Sequence, residues 1–472
     1  MEGYRYYLAI DIGASGGRHI LAHRENEKLC LEEIYRFENR MVRKNGHLCW
    51  EMDRLFAEIK AGMARCKAEN KIPKSVGIDS WAVDFVLLDE GGKVLGDTVG
   101  YRDERTDGMI EAVGNIIPES ALYARTGIQQ QKFNTIYQLM AIKKEHPEYL
   151  KRAQAMLMVP DYFHYLLSGN QSAEYTNAST TQLMDAGKKD WDRELIEMLG
   201  FPQRIFQTLS RPGTFVGMLT DEIQKEVGFQ CRVVAPATHD TASAVMASPF
   251  SGEGAIYISS GTWSLMGIER EQPENSEKSR RYNFTNEGGY DYKYRFLKNI
   301  MGLWMIQNIK KELQNKYSFA QLCDMAEQTD FHALVDVDDG CFMAPDSMTE
   351  AIQDWCAAHG QPVPQTPGEL AKCIYESLAH SYARTVEEIE DATGSKYEAI
   401  NIVGGGANAD YLNKLTARIS GQEVLAGPTE ATATGNIAAQ MIAAGEFSSL
   451  SQARDTIKRS FTIKEYGKGI KK

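Results

Sequence analysis

A strand, a turn of small residues and a second strand open the chain and return near its middle, and this recurrence constrains the fold more than any other feature. Tyr6–Ile12 and Arg18–His23 flank a glycine-rich turn, and Cys30–Phe37 follows as a third apolar stretch. After Gly254 the order comes back as Ala255–Ser259, the turn Ser260-Gly261-Thr262, and Trp263–Ile268. Between these hairpins the pattern alternates. A helical period spans Met52–Glu69, short strands are expected at Ser75–Asp79 and Ala82–Asp89, and Pro118–Gly169 reads as mostly helical. A strand at Arg232–Ala237 leads into a helix at Asp240–Ala247.

The second half adds helices at Gly302–Asn315, Phe319–Glu327 and Pro367–Thr393, then a strand at Ala399–Val403 and three consecutive glycines, Gly404–Gly406. A helix from Ala409 to Ser420, a strand at Glu423–Ala426 and a helix at Ala431–Ala444 complete it. With 472 residues the chain exceeds a single core, which stops growing at roughly 250–300. Two α/β domains with a cleft between them are therefore expected, 1–247 and 248–472. The break is placed near Ala247–Glu253, where Pro249, Ser251 and Gly252 interrupt the pattern.

A net charge of −12 argues against a nucleic-acid footprint, which needs a basic surface. It leaves ATP open, because backbone N–H groups and a metal ion can hold phosphates. No apolar run approaches the roughly 20 residues of a membrane span, and Tyr6–Ile12, interrupted by Asp11, reads as a strand rather than a signal peptide. The eight cysteines include no CxxC pair, so neither zinc nor a thioredoxin-like site is suggested, and reduced thiols in a cytoplasm are expected. Cys356 and Cys373 bracket one proline-containing loop.

The turn Asp11-Ile12-Gly13-Ala14-Ser15-Gly16-Gly17-Arg18 is the first chemical motif. A dinucleotide fingerprint and a P-loop both need a helix after the glycines, and here His19-Ile20-Leu21-Ala22 continues as strand. A hairpin turn of small residues can still expose N–H groups to a phosphate. Asp11 can then hold Mg²⁺ through water and Arg18 can neutralise phosphate charge. A plain tight turn with a surface arginine is the competing account. Gly404-Gly405-Gly406 ends a strand and opens a helix, and three glycines in a row suit a nucleotide lying on bare backbone as well as close packing.

Thr238-His239-Asp240-Thr241 sits where a strand gives way to a helix. Asp240 there is either an N-cap or a carboxylate favoured by the helix dipole and ready to take a proton. Asp79-Ser80-Trp81-Ala82-Val83-Asp84 is a polar and aromatic cluster suited to a sugar, or else a core tryptophan with a turn aspartate. Asn299 and Gln307, near the start of an apolar helix, suit ligand contacts or amide caps.

Several stretches together resemble the FGGY carbohydrate kinases. They are Asp11–Arg18, Gly77–Leu88 (GIDSWAVDFVLL), Val159–Leu183, Ala237–Pro249 (ATHDTASAVMASP), Ile258–Gly267 (ISSGTWSLMG), Asn286–Gly289, Leu297–Trp304 (LKNIMGLW) and Ile402–Ala407. The likeness runs from the first hairpin to about Gly445 and is closest to the branch that acts on L-rhamnulose.

The resemblance implies two ribonuclease-H-like domains of the actin-like ATPase type, which close on ligand. It also implies Mg²⁺-dependent transfer from ATP to L-rhamnulose, giving L-rhamnulose 1-phosphate and ADP in rhamnose degradation. Carried onto this chain, Ala14, Ser15, Gly16, Gly17 and Arg18 meet the ATP phosphates. Ala82, His239, Asp240, Thr241 and Asn299 meet the sugar, with Asp240 the proton acceptor. Thr262, Gln307, Gly404, Gly405 and Gly406 meet the nucleotide. The family usually has glycine at position 82 and serine at position 17. Competing functions are an FGGY kinase for a fuculose- or xylulose-type ketose, and a non-catalytic actin-like sugar or ATP switch.

Overall fold

The first three strands form a continuous antiparallel meander, β1 (Tyr6–Gly13), β2 (Gly16–Glu25) and β3 (Lys28–Glu38). The computed structural model that contains them describes residues 4–249 and 254–467. Gly13 pairs with Gly16, so only Ala14 and Ser15 lie in the first turn, and the same register sets Asp11 directly opposite Arg18.

The described chain divides into two compact units. The first runs through Ala247 and also takes in Glu269–Phe296 and Thr432–Ser460; the second holds Ser248–Ile268, Leu297–Ala431 and the residues from Phe461. The first boundary falls where composition breaks, and the Phe250–Glu253 part of that break lies outside the described residues. The units are nevertheless interleaved in sequence. A physical cause is visible in the helix Ala431–Ala443, whose Gln440 donates to the backbone carbonyl of Leu8 at 2.9 Å and accepts from the Ser75 hydroxyl at 2.6 Å. Such buried amide bonds join residues more than 360 positions apart, and no local pattern announces them.

In the first unit the sheet runs β3–β2–β1, then Pro73–Ser80, Arg232–Ala235 and Thr214–Met218. Pro73–Ser80 lies parallel to β1 and Arg232–Ala235 parallel to Pro73–Ser80, while the edge strand Thr214–Met218 is antiparallel. Helix α1 (Met52–Ala68) covers one face with Leu55, Ile59 and Met63, all fully buried at four-residue spacing. Each such side chain contributes about 1.5–3 kcal/mol through burial. A second apolar cluster gathers Phe85, Leu87, Tyr137, Leu139 and Leu195 around an accessory helical layer.

The second unit repeats the plan. Its seven-stranded sheet runs Thr285–Gly288, Tyr294–Met301, Trp263–Arg270, Ala255–Ser260, Ala399–Val403, Glu423–Ala426 and Lys464–Tyr466. Again a hairpin is followed by two parallel neighbours and an antiparallel edge. The helix Pro367–Thr393 has the bounds that its sequence signals give: a capping box between Thr366 and Glu369, proline in its first turn, and Gly394 at φ 68° beyond its end.

Three expected elements differ. The strand expected at Ala82–Asp89 begins only at Phe85, because Val83 takes φ 68° and turns the chain. The stretch Pro118–Gly169 contains a strand at Ala155–Met158, four apolar residues too short to be told from helix by period. Asn299 lies on the strand Tyr294–Met301 rather than near a helix start, whereas Gln307 does lie in the helix Trp304–Glu312.

Candidate active site

The parallel register of β1 with Pro73–Ser80 places Asp11 beside Asp79, and a bridge between Ser80 and His239 brings the next strand's end alongside. Three aspartates converge as a result. Asp11 is nearly buried and pairs with Arg18 at 2.8 Å. Asp79 has no exposed surface, accepts from the Asn436 amide at 2.5 Å through one oxygen, and leaves the other oxygen without a hydrogen-bond partner. Burial first, and then the charge of Asp11, hold the Asp79 carboxyl well above the usual carboxylate range.

Asp240 is the open member, with 33% of its side chain exposed. It is the first residue of the helix Asp240–Met246, and His239 rather than Asp240 occupies the cap position. Its Oδ1 accepts the Thr241 N–H at 2.5 Å and the Thr241 hydroxyl at 3.1 Å. The helix dipole alone would favour the ionised form. Desolvation outweighs it, and Asp11 adds to the effect, so the Asp240 carboxyl lies above its ordinary range even though His239 pulls it down. A carboxylate of raised basicity with an open face is suited to receive a proton.

His239 is held from behind. Its Nδ1 lies 2.9 Å from Arg295 Nη2 and 3.3 Å from Glu287 Oε2. A guanidinium can only donate and a carboxylate can only accept, so Nδ1 is held between a donor and an acceptor. The other ring nitrogen, Nε2, faces Asp240 Oδ1 at 3.5 Å. Arg295 is fully buried and is tied to Glu287 at 2.9 Å and to the Gly288 carbonyl at 2.9 Å. Burial works to raise the Glu287 carboxyl, and its contacts with His239 and Arg295 reverse that and hold it below the usual range.

Of the two readings of the aromatic cluster, the structure matches the core one: Trp81 is buried. Trp50 and Trp81 lie 4.1 Å apart, and both indole N–H groups donate to Asp84 Oδ2, at 2.6 and 2.9 Å. Gln138 and the Tyr101 backbone complete the set at 2.9 and 3.1 Å. Asp84 is thus consumed as an internal anchor for the tryptophans. Ala82, half-buried, sits two residues beyond the Ser80–His239 junction.

Gly16 and Gly17, the two glycines that follow the first turn, are explained by packing. A side chain at Gly16 would meet the Phe37 carbonyl at 2.9 Å, and one at Gly17 would overlap the Phe37 ring at 2.1 Å. Ser15 stays exposed and Ala14 half-buried.

In the second unit the turn Ser260–Thr262 is the organising point. The Thr262 carbonyl accepts the N–H groups of Gly302 and Trp304 at 3.2 and 3.1 Å, and Gln307 follows in the next helical turn. Gly404, at φ 83°, would bring a side chain to 2.9 Å from the Ser260 carbonyl, and Gly406 one to 2.0 Å from the Ser260 hydroxyl oxygen. Close packing therefore accounts for two of the three glycines. Gly405 is exposed and meets only an ordinary contact at 3.9 Å. So Asp11, Arg18, His239, Asp240 and Thr241 come together in the first unit, and Thr262 with Gly404–Gly406 in the second. Asn299 is half-buried in the second unit. Sequence reasoning gave no role to Glu174, Arg295 or Asn436. Only the long-range pairings disclose them.

Two family models match this chain. The N-terminal domain of the FGGY family of carbohydrate kinases matches residues 6–247, and the C-terminal domain of that family matches residues 256–444. A rhamnulokinase of Halalkalibacterium halodurans is 52% identical, covering 98% of both chains. Those of Oceanobacillus iheyensis and Bacillus subtilis are 48% and 44% identical, each over 98% of this chain, covering 98% and 95% of their own lengths. Among solved structures, a gluconate kinase from Lactobacillus acidophilus and a Plasmodium falciparum glycerol kinase with ADP each superpose with a TM-score of 0.78. Each is 16% identical and covers 98% of this chain and 94% of its own. These structures share the fold, two α/β units of the ribonuclease-H-like, actin-like ATPase class.

Proposed function

Because the chain belongs to the FGGY family of carbohydrate kinases, we propose that it transfers the γ-phosphoryl group of ATP to the 1-hydroxyl of L-rhamnulose, yielding L-rhamnulose 1-phosphate and ADP in L-rhamnose degradation. The substrate assignment is supported by full-length similarity to rhamnulokinases at 41–52% identity. The chemistry is carried by one observation: of three converging aspartates, Asp240 alone keeps an open face and a raised basicity.

Phosphoryl transfer requires positioning, charge neutralisation and a group that accepts the hydroxyl proton. Asp240 is the acceptor. His239, oriented by Arg295, and Thr241 flank it and bind sugar hydroxyls, with Ala82 and Asn299 as further sugar contacts. The turn Ala14–Arg18 receives phosphates through its N–H groups, and Arg18 adds positive charge. Thr262, Gln307 and the Gly404–Gly406 turn bind the nucleotide, with Gly405 free of any packing duty.

The carboxylates fit a hard divalent cation, since Asp79 presents a buried oxygen without a partner and Asp11 lies beside it in register. Mg²⁺ bound there, with Asp11 acting through water, supplies neutralisation of phosphate charge. The enzyme is assigned to the cytoplasm, where ATP is available. All eight cysteines are free, and among the described residues no helix is long and apolar enough to cross a membrane.

Two measurements test these assignments. Asp240→Asn keeps binding of ATP and sugar while turnover drops about 10²–10⁴-fold; retained turnover would refute the role of Asp240. In a ketose panel read by ADP release, L-rhamnulose is expected to lead. Equal turnover of L-fuculose or D-xylulose would overturn the substrate and leave the kinase chemistry standing.

A further inference from the structure

The far end of the first hairpin carries a second cluster of chemically capable side chains. In the β2–β3 register His23 stands directly opposite Cys30, and Glu25 lies two residues along β2 on the same face. The ring nitrogens of His23, the Cys30 sulfur and a Glu25 carboxylate oxygen all lie within 4.8 Å of one another. Among the described residues this is the one place where three such side chains gather so closely.

The surroundings support them as a set. The Tyr4 hydroxyl donates to Glu25. The Tyr4 and Tyr6 rings pack on His23 at 4.2 and 5.3 Å between centroids. His23 and Cys30 are half-buried and Glu25 is exposed, which leaves a face open. Outer contacts that fix a ligand's orientation are a regular feature of metal sites. Spacing along the sequence gave no hint of this, because His23 and Cys30 pair across a hairpin rather than along one segment.

We propose that His23, Glu25 and Cys30 bind a borderline-soft divalent transition-metal ion, with zinc the best match, as three protein ligands and one open position. A tetrahedral zinc ion with bonds of about 2.0–2.3 Å holds its donors roughly 3.3–3.8 Å apart. One thiolate, one imidazole and one carboxylate favour such an ion over magnesium, which takes oxygen donors. The site is separate from Asp11 and Arg18, since five residue steps along β2, about 17 Å, separate Arg18 from His23.

Cobalt(II) titration of the full-length protein in excess Mg²⁺ tests the proposal. One equivalent is expected to produce a thiolate-to-cobalt charge-transfer band, displaced by Zn²⁺ and absent from any site built of carboxylates alone. Cys30→Ser abolishes the band, His23→Ala weakens it, and Cys341→Ser, which removes the exposed cysteine, leaves it intact. A wild-type protein without the band overturns the proposal. So does a band that survives Cys30→Ser or disappears with Cys341→Ser. Circular dichroism of each variant establishes that the fold is retained.

Discussion

Glu174 Oε2 accepts both the backbone N–H and the hydroxyl of Thr238, at 3.0 and 2.8 Å. The same carboxylate accepts the Thr176 N–H at 2.9 Å and the Thr176 hydroxyl, and that hydroxyl oxygen accepts the His239 N–H at 3.2 Å. A fully buried acid thus holds the two residues that precede Asp240. Glu174→Gln would turn an amide donor toward groups that themselves donate, at a cost of about 1–3 kcal/mol. We expect a lower melting temperature together with a reduced kcat and an unchanged KM for ATP. A melting temperature that falls while kcat holds would make Glu174 structural only.

Asp79 makes the opposite contribution to stability. Its folded proton affinity is raised by burial and by Asp11, so the native state binds a proton that the unfolded chain releases above about pH 3.9. Between that value and the folded one, the native state holds more protons and loses stability as pH rises. Asp79→Asn removes the titration and can keep an acceptor toward the Asn436 amide. Thermal melts from acid to neutral pH should show the wild type losing more ground than the variant, with the variant more stable at neutral pH. Parallel curves would mean that Asp79 is ionised in the fold.

Much of the fold was legible because each half obeys local rules. The bounds of Pro367–Thr393, with Thr366, Glu369 and Gly394 at its ends, follow from capping chemistry alone. The hairpin turns follow from their small residues. Asp240 was legible by its place between strand and helix, although its electrostatics were not, since Asp11 reaches it through sheet register. The turn at Val83 was not legible, because it depends on Asp84 binding two tryptophans from different segments. Arg295 behind His239 and Asn436 on Asp79 are contacts across 56 and 357 positions. No period or motif encodes such pairs.

The glycine triplet separates packing from binding. Gly404→Ala sets a side chain at φ 83° against the Ser260 carbonyl, 2.9 Å away, and should lower the unfolding midpoint. Gly405→Ala meets nothing closer than 3.9 Å and should fold as well as the wild type. If nucleotide lies on this turn, the added methyl raises the KM for ATP and leaves the KM for sugar alone. An unaltered KM for ATP in Gly405→Ala would remove the turn from the nucleotide site.

The acid limb of the pH–rate profile reports Asp240. The residue accepts a proton only when ionised, so activity disappears as pH falls through its folded pKa. Burial and Asp11 raise that value, which sets the acid limb above the ordinary aspartate range near 3.9. His239 acts in the other direction, with its Nε2 facing Asp240 Oδ1 at 3.5 Å. Replacing it by glutamine removes that opposing influence and leaves only the Thr241 hydrogen bonds against burial and Asp11, so the proton is held more tightly and the limb moves to higher pH. The shift must be read on kcat at saturating ATP and sugar, because kcat reports groups in the bound complex, whereas the loss of a sugar contact raises KM. A limb that stays in place in His239→Gln, or moves toward acid, would show that another group governs the ionisation.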